Sequence, residues 1–339
     1  MSVLDLPRPY LLFLGDVREA PYLKTAFGLR DWAPEQCIGE YAITGGAVST
    51  GLPRLSPGEA HFAGARAMVI GAAPAGGDIA PAWLDALEDA LEAGLDIISG
   101  LHAPLADQPR LKAAAERLGR RLIDVREPPA GLPIGTGRKR TGQRLLTVGT
   151  DCALGKKYTA LSLAQAFRER GVDTDFRATG QTGIMIAGSG VPLDAVVADF
   201  CAGAAEALSP DAAPDHWDII EGQGSLFHPA YAGVSLALLH GSQPDVIVVC
   251  HQPGRTKVVG AAHFALPTIE ETIDLNLRLA RRVNPAVRCA GISLNTSHLD
   301  AGAAEALMNA ESERLGLPVA DSIRRGPAFE ALVDACLEG

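Results

Sequence analysis

The sequence predicts an α/β protein in which helices cover two mostly parallel sheets. Three observations carry that expectation. Short apolar runs of strand length alternate with Ala/Leu-rich helical patterns along the whole chain. A Pro/Gly tract near residue 130 divides them into two series. The chain has 339 residues, 47% hydrophobic and 21% charged, which is ordinary for globular proteins and enough for two cores.

In the first series, YLLFLGD (Tyr10–Asp16), ARAMVIGAA (Ala65–Ala73), LDIISGL (Leu95–Leu101) and RRLIDVR (Arg120–Arg126) read as strands. Between them Pro81–Gly94 is an amphipathic helix with Trp83, Leu84, Leu87 and Leu91 on one face. Pro81 opens it and Gly94 closes it. Leu111–Gly119 is a second helix. The result is a Rossmann-like unit that lacks the G-x-G-x-x-G fingerprint.

From Glu127 the chain reads EPPAGLPIGTGRKRTGQ, with three prolines and four glycines in 17 residues. Neither a helix interior nor a central strand tolerates that composition. The boundary falls here, giving domains 1–134 and 135–339. Arg138-Lys139-Arg140 is short and flanked by glycines, so it reads as linker.

The second series restarts with a strand at Arg144–Gly149 and a helix from Gly155 to about Arg170, stopped by Gly171. Further strands follow at Thr174–Thr179, Asp218–Gly224, Pro244–His251 and Cys289–Thr296. Helices are expected over Leu193–Leu208, Thr268–Arg282 and Ala303–Leu315.

Charge and cysteine usage exclude several classes. The formal net charge is −10 and no Lys/Arg run offers a phosphate-tracking surface, so no nucleic-acid partner is expected. The six cysteines are scattered without a C-x-x-C pair, which is neither a disulfide framework nor a zinc pattern. No apolar run approaches the roughly 20 residues needed to span a bilayer. No charged segment precedes an apolar one at the N-terminus. A cytoplasmic protein without membrane partners is the expectation.

The segment LLTVGTDCALGKKYTAL (Leu145–Leu161) carries the strongest chemistry. A strand runs into a glycine turn and Gly155-Lys156 opens a helix, the context in which main-chain N–H groups and the helix dipole hold phosphate. Gly149, Thr150, Asp151, Cys152, Ala153, Leu154, Gly155, Lys156, Lys157 and Tyr158 form the candidate cofactor-binding loop. A glycine turn with a purely structural role leaves unexplained two lysines where the dipole disfavours cations. The residue after the lysine, Ser or Thr in metal-dependent loops, is Lys157. A second ammonium neutralises phosphate without coordinating Mg²⁺. The expected guest is a nucleotide anchored by charge, for which coenzyme A qualifies, with no metal required.

Three further clusters surround this loop in sequence order. RATGQTGIMIAG (Arg177–Gly188) reads as a loop at a strand C-terminus, offering Arg177, Thr179, Gln181 and Thr182; Asp194 and Asp199 follow it. IIEGQGSLFHP (Ile219–Pro229) carries Glu221 at the end of a buried strand, where desolvation would raise its pKa and suit proton acceptance. His228 follows in an extended position. Ser225 has no evident His/Asp relay, which disfavours a hydrolase triad. CHQPGRTKVVG (Cys250–Gly260) sets His251, Arg255 and Lys257 in a Pro-Gly loop, where cations suit carboxylates. Cys152 and Cys250 read as small apolar fillers.

Gly-Thr-Asp, three residues, then Gly-Lys resembles the deviant phosphate loop of dethiobiotin synthetase and its relatives. This resemblance implies a C-terminal P-loop NTPase-like domain with a mostly parallel sheet. It also sets Glu221 in the acidic position near the phosphates and Asn295 of GISLNTSHL near a bound base. Over nearly the whole chain, the segments GTDCALGKKYTA, RATGQTGIMIAGSGVPLDAVVADF, EGQGSLFHPAYAGVSLALLHGSQPD and CHQPGR resemble one family. It was long catalogued as a domain of unknown function, with a Rossmann-like N-terminal domain and a phosphate-loop C-terminal domain.

Some bacterial members are D-glutamate N-acetyltransferases (the DgcN type). They use acetyl-CoA in D-amino-acid catabolism alongside a partner dehydrogenase. The resemblance thus implies acetyl-CoA as co-substrate and D-glutamate as acceptor; a homo-oligomer is also expected. Glu221 or His228 would be the base, while Arg177, Gln181, Arg255 and Lys257 would meet the substrate and its carboxylates. Two alternatives stay open: an ATP-dependent ligase or kinase, which would need Mg²⁺, and a non-catalytic nucleotide-binding regulator.

Overall fold

A computed structural model describes residues 6–73 and 77–338. The chain forms two compact units. One comprises residues up to Pro128 together with Gly180–Pro192; the other comprises Pro129–Thr179 and Leu193 onward.

The first unit is a five-stranded parallel sheet. Strands β1 (Tyr10–Gly15), β2 (Cys37–Ala42), β3 (Ala67–Ile70), β4 (Asp96–Ser99) and β5 (Leu122–Asp124) lie in the order β2-β1-β3-β4-β5. Helices α1 (Lys24–Trp32), α2 (Pro57–Phe62), α3 (Leu84–Glu92) and α4 (Pro109–Leu118) connect them. β1 is buried at every position, as a central parallel strand requires. β2 falls outside the expected strands because CIGEYA interrupts its apolar run with Glu40. That carboxylate is buried and held by Ser49, Thr50 and Arg54.

The second unit centres on a six-stranded parallel sheet. Its strands are β6 (Gln143–Gly149), β7 (Thr174–Arg177), β8 (Trp217–Ile220), β9 (Val246–His251), β12 (Arg288–Leu294) and β13 (Val319–Ala320), ordered β13-β12-β9-β6-β8-β7. A two-stranded antiparallel ribbon, β10 (Lys257–Val258) and β11 (Ala261–Ala265), follows β9. Helices α5 (Lys156–Glu169), α7 (Ala198–Leu208), α8 (Ala232–Ser242), α9 (Ile269–Ala280), α10 (Ala301–Leu315) and α11 (Pro327–Leu337) complete this unit. Leu145, Phe167, Ile219, Val248, Phe329 and Leu332 pack together in its core.

Two expectations change. RATGQTGIMIAG is only partly a loop: Gln181–Ala187 is a short helix, α6, with Ile184, Met185 and Ile186 buried in the first unit. Its glycines suggest a loop, but the apolar triplet needs a core. Thr182 Oγ1 lies 3.1 Å from Thr25 Oγ1 of α1.

The basic triplet is not a loose linker either. Glu206 accepts from Thr136 N and Gly137 N, Asp211 pairs with Arg138, and Asp245 pairs with Lys139. The buried Arg144 guanidinium donates to Ser209 Oγ at 2.7 Å and to the carbonyls of Thr141 and Pro210, each at 2.9 Å. No helix among the described residues is long and apolar enough to cross a membrane.

Candidate active site

β6 sits between β8 and β9, so the loop leaving its C-terminal end emerges at the middle of the sheet. That is where open α/β sheets place ligands. Gly149 lets this loop turn closely past β9: a Cβ there would lie 3.0 Å from the Cys250 carbonyl. Thr150 is used entirely within the protein. Its N–H donates to Cys250 O, its hydroxyl contacts His251 Nδ1 at 3.0 Å, and its carbonyl accepts from Ser225 Oγ. Burial lowers the pKa of His251, which favours the neutral ring in that contact.

Asp151 organises the loop. Its fully buried carboxylate accepts from Cys152 N (2.7 Å), Val259 N (2.8 Å) and Arg255 Nη1 (3.1 Å). The same Arg255 donates to Cys152 O at 2.8 Å and Ala153 O at 3.3 Å. Ala153 stands at φ 53, a left-handed conformation that costs a non-glycine residue about 1 kcal/mol. Arg255, expected among substrate ligands, thus buttresses the phosphate loop and offsets that strain.

Gly155, at φ 107, caps α5 without any side-chain hydrogen bond. The first turn therefore offers main-chain N–H groups that have no i−4 carbonyl. Lys156 is buried and donates Nζ to Asp151 O at 2.7 Å, reaching back across the loop. Desolvation pushes its pKa down, opposed by Cys152, Cys250 and Asp151. Lys157 is half-buried, its ammonium 5.1 Å from the centre of the Tyr158 ring. Thr159 turns to the interior, 2.8 Å from Ser293 Oγ, so its hydroxyl does not replace the one lost at Lys157.

The neighbouring strand ends are tied together by small polar groups. Thr147 Oγ1 accepts from Gly222 N at 2.9 Å, where a Cβ would fall 1.7 Å from Thr147 O. Only glycine permits that approach. Glu221 is buried; its Oε2 accepts from Thr179 N (3.0 Å) and its carbonyl accepts from Thr179 Oγ1 (2.6 Å).

His228 has its two ring nitrogens engaged: Nε2 contacts Val259 O at 2.9 Å and Nδ1 accepts from Ala230 N at 3.1 Å. A carbonyl partner requires a proton on Nε2, so this is the neutral ring with its one lone pair occupied. The expected base role at His228 conflicts with that geometry. His228 pins the ribbon turn to the loop after β8.

Arg177 also lies elsewhere, its guanidinium bound to Asp218 (2.5 Å) and Asp175 (2.9 Å). Gln181 opens α6 in the other unit, and Lys257 is exposed on the ribbon. Ligand atoms of Asp151, Cys152 and His228, and of Asp175, His216 and Asp218, converge within 4.8 Å. Neither is an open ligand set, since Arg255 and Arg177 occupy their carboxylates.

A cleft of about 390 Å³ begins at Leu154 and Gly155 and runs along Tyr158 to the ends of β12 and β13. Asn295 lines it, with Oδ1 accepting from Ser297 N at 3.2 Å. A second cleft of about 450 Å³, which shares Leu294, reaches His251, Gly254 and Arg314.

Residues 133–333 match a family model described as Domain of unknown function (DUF1611_C) P-loop domain, and residues 36–128 match its partner, DUF1611_N Rossmann-like domain. This chain belongs to the DUF1611 family. The crystal structure of a DUF1611 family protein from Anabaena variabilis ATCC 29413 is similar, with a TM-score of 0.87 and 35% identity over 97% of this chain and 99% of that one. A protein of Tritonibacter scottomollicae named D-glutamate N-acetyltransferase is 50% identical over 96% of this chain and 98% of its own length. One of the same name from Pseudoalteromonas sp is 49% identical over 95% and 97%. The fold class and the family expected from the motifs are therefore those of this DUF1611 protein.

The far wall of the first cleft was not expected from the sequence: Ser293, Asp321, Ser322, Ile323 and Arg324. Asp321 accepts from Thr296 N (3.0 Å), Thr296 Oγ1 (2.5 Å) and Arg324 N (3.2 Å), which joins two loops into one rim. The available signal was the polar run DSIRRG directly after a short apolar strand.

Proposed function

We propose that this DUF1611 protein is an N-acetyltransferase that moves the acetyl group of acetyl-CoA to the amino nitrogen of D-glutamate. The observation that carries this reading is about 50% identity, over nearly the full length, to two proteins of that name. The site chemistry agrees with it. A phosphate loop with Lys157 in the metal-ligand position suits an anchored pyrophosphate, and the adjoining cleft has the size and mixed polarity of a nucleoside site.

In the proposed reaction a base removes a proton from the glutamate ammonium, and the neutral nitrogen attacks the thioester carbonyl. The oxyanion that forms is held by loop N–H groups. As the C–S bond breaks, the thiolate of CoA leaves and takes up the second proton, which the nitrogen loses on becoming an amide, so the step balances without an oxidant or metal. Glu221 is the better base candidate because His228 has no lone pair to spare. Among the described residues Lys257 makes no ion pair and is the cation we assign to a substrate carboxylate. Arg255 and Arg177 are committed to internal acids.

Thermal-shift titration with acetyl-CoA, then with ATP plus Mg²⁺, tests the donor, because a native-state ligand raises the melting point. Stabilisation by ATP-Mg²⁺ alone would sink the acetyl-CoA reading and favour a ligase or kinase. Thiol release from acetyl-CoA with D-glutamate and not with L-glutamate is the expected result for the acceptor.

A further inference from the structure

The first cleft raises a question that the phosphate loop does not answer. A pyrophosphate and a nucleobase are common to ATP, ADP and CoA; a 3′-phosphate on the ribose belongs to CoA alone. We propose that Arg324 recognises that 3′-phosphate and sets the selectivity of this site for CoA over other adenine nucleotides. The inference rests on the acetyl-CoA reading above and adds a residue to it.

One end of the cleft is Gly155, the N-cap of α5, so a ligand whose diphosphate sits on the loop extends its ribose and base along Tyr158. The volume of about 390 Å³ falls within the range of about 300–1,000 Å³ typical of small-molecule sites. Leu154, Tyr158 and Ile323 supply apolar walls, and Ser293 and Asn295 supply neutral polar groups. Among the described residues that line it, Arg324 is the one cation.

Arg324 is held in place. Nε donates to Thr296 Oγ1 at 2.7 Å, and Nη2 donates to the carbonyls of Thr296 (3.1 Å) and Leu299 (2.6 Å). Nη1 has no acceptor among the described residues. The nearest carboxylate, Asp321, lies 3.7 Å from Nε and receives Thr296 N, Thr296 Oγ1, Ile323 N and Arg324 N. Those four bonds leave it little capacity to bind a further donor. A guanidinium fixed on one edge and unpartnered on the other is preorganised for an added anion, and its planar donors match phosphate geometry.

The test compares acetyl-CoA with acetyl-dephospho-CoA, which lacks only the 3′-phosphate, as donors for D-glutamate. The expected result is a kcat/KM about 10- to 100-fold higher for acetyl-CoA, the range of a charge-assisted bond. In Arg324→Gln that preference collapses towards 1, because kcat/KM for acetyl-CoA falls further than that for acetyl-dephospho-CoA. A measurement on the unmodified protein covers the case in which the variant loosens the rim. Adenosine 3′,5′-bisphosphate should compete with acetyl-CoA about tenfold better than AMP, with no Mg²⁺ present.

Equal use of the two donors by the unmodified protein, equal inhibition by the two nucleotides, or a preference that survives in Arg324→Gln overturns the assignment and leaves the acetyl-CoA reading standing. No thiol release from either donor overturns that reading, and the role of Arg324 falls with it.

Discussion

Helices α5 and α9 begin in opposite ways within the same unit. α9 is finished by its own side chains: Thr268 Oγ1 accepts from Glu271 N at 3.1 Å, and the Glu271 carboxylate accepts from Thr268 N at 2.8 Å. Glu270 and Glu271 add negative charge to its first turn, as the helix dipole favours. α5 has a glycine N-cap, no capping side chain, no acid in its first turn, and two lysines instead. Every term that makes α9 self-sufficient is missing or reversed in α5. A helix start of that kind suits an anion from outside, and Lys156 donates to Asp151 O across the loop.

Substitutions at the two helix starts should separate binding from stability. Lys156→Ala removes the buried ammonium at the loop, and acetyl-CoA affinity should fall about 100-fold in calorimetric titration. Unchanged affinity would place the ligand elsewhere.

Lys157→Thr should weaken acetyl-CoA about tenfold and introduce Mg²⁺-dependent ATP binding, measured as a melting-point rise that needs both. If no such rise appears, Lys157 does not select the guest.

Arg255→Ala sharpens the reassignment of that residue. A buttress of the phosphate loop should raise KM for acetyl-CoA several-fold, about 5-fold at the strength of one or two hydrogen bonds, and leave KM for D-glutamate unchanged. The reverse split would return Arg255 to the substrate.

Thr268→Ala, at the capped helix, should cost about 1 kcal/mol in urea unfolding without altering either KM.

The smallest effect concerns pH. Burial alone would lower the pKa of His216, but hydrogen bonds to Asp173 and Asp218 outweigh it and raise the pKa above the ordinary 6.5. A raised folded-state pKa contributes stability that is fully present below the unfolded value and lost as pH rises through the folded one. The urea midpoint should therefore decline modestly from about pH 6.5 upward, and His216→Gln should remove that part of the slope. An identical slope in the variant would assign it to other groups.

Contrasts of this kind also mark what is legible in the sequence alone. The buried strands β1, β6 and β9 are long apolar runs, and the glycine loop between β6 and α5 carries its own local signature. The Thr268 start is equally local, since a capping box spans four residues. β2 escaped because Glu40 breaks its apolar run, and its compensation by Thr50 and Arg54 depends on tertiary folding. α6 escaped because glycines surround a short triplet of apolar residues.

The site divides in the same way. Residues within the loop were legible, whereas the partners of Asp151 lie more than 100 positions away at Arg255 and Val259. No spacing rule connects them. Arg177 and Arg255 offer the same guanidinium to a reader of the sequence, and only their acidic neighbours decide which interior each one serves.

The stretch between Thr136 and Arg144 has a practical consequence for anyone who cuts the chain in two. Written out, Arg138-Lys139-Arg140 invites trypsin. Folded, Arg140 is buried, its neighbours are clamped by Glu206, Asp211 and Asp245, and Arg144 gathers the carbonyls on either side. Proteolysis favours exposed, pliable backbone, and these contacts restrain the stretch around the basic triplet. A fragment meant to carry the phosphate loop alone should therefore begin before Pro133, whose carbonyl would lie 1.9 Å from a Cβ on Gly203, so that the whole clasp travels with it.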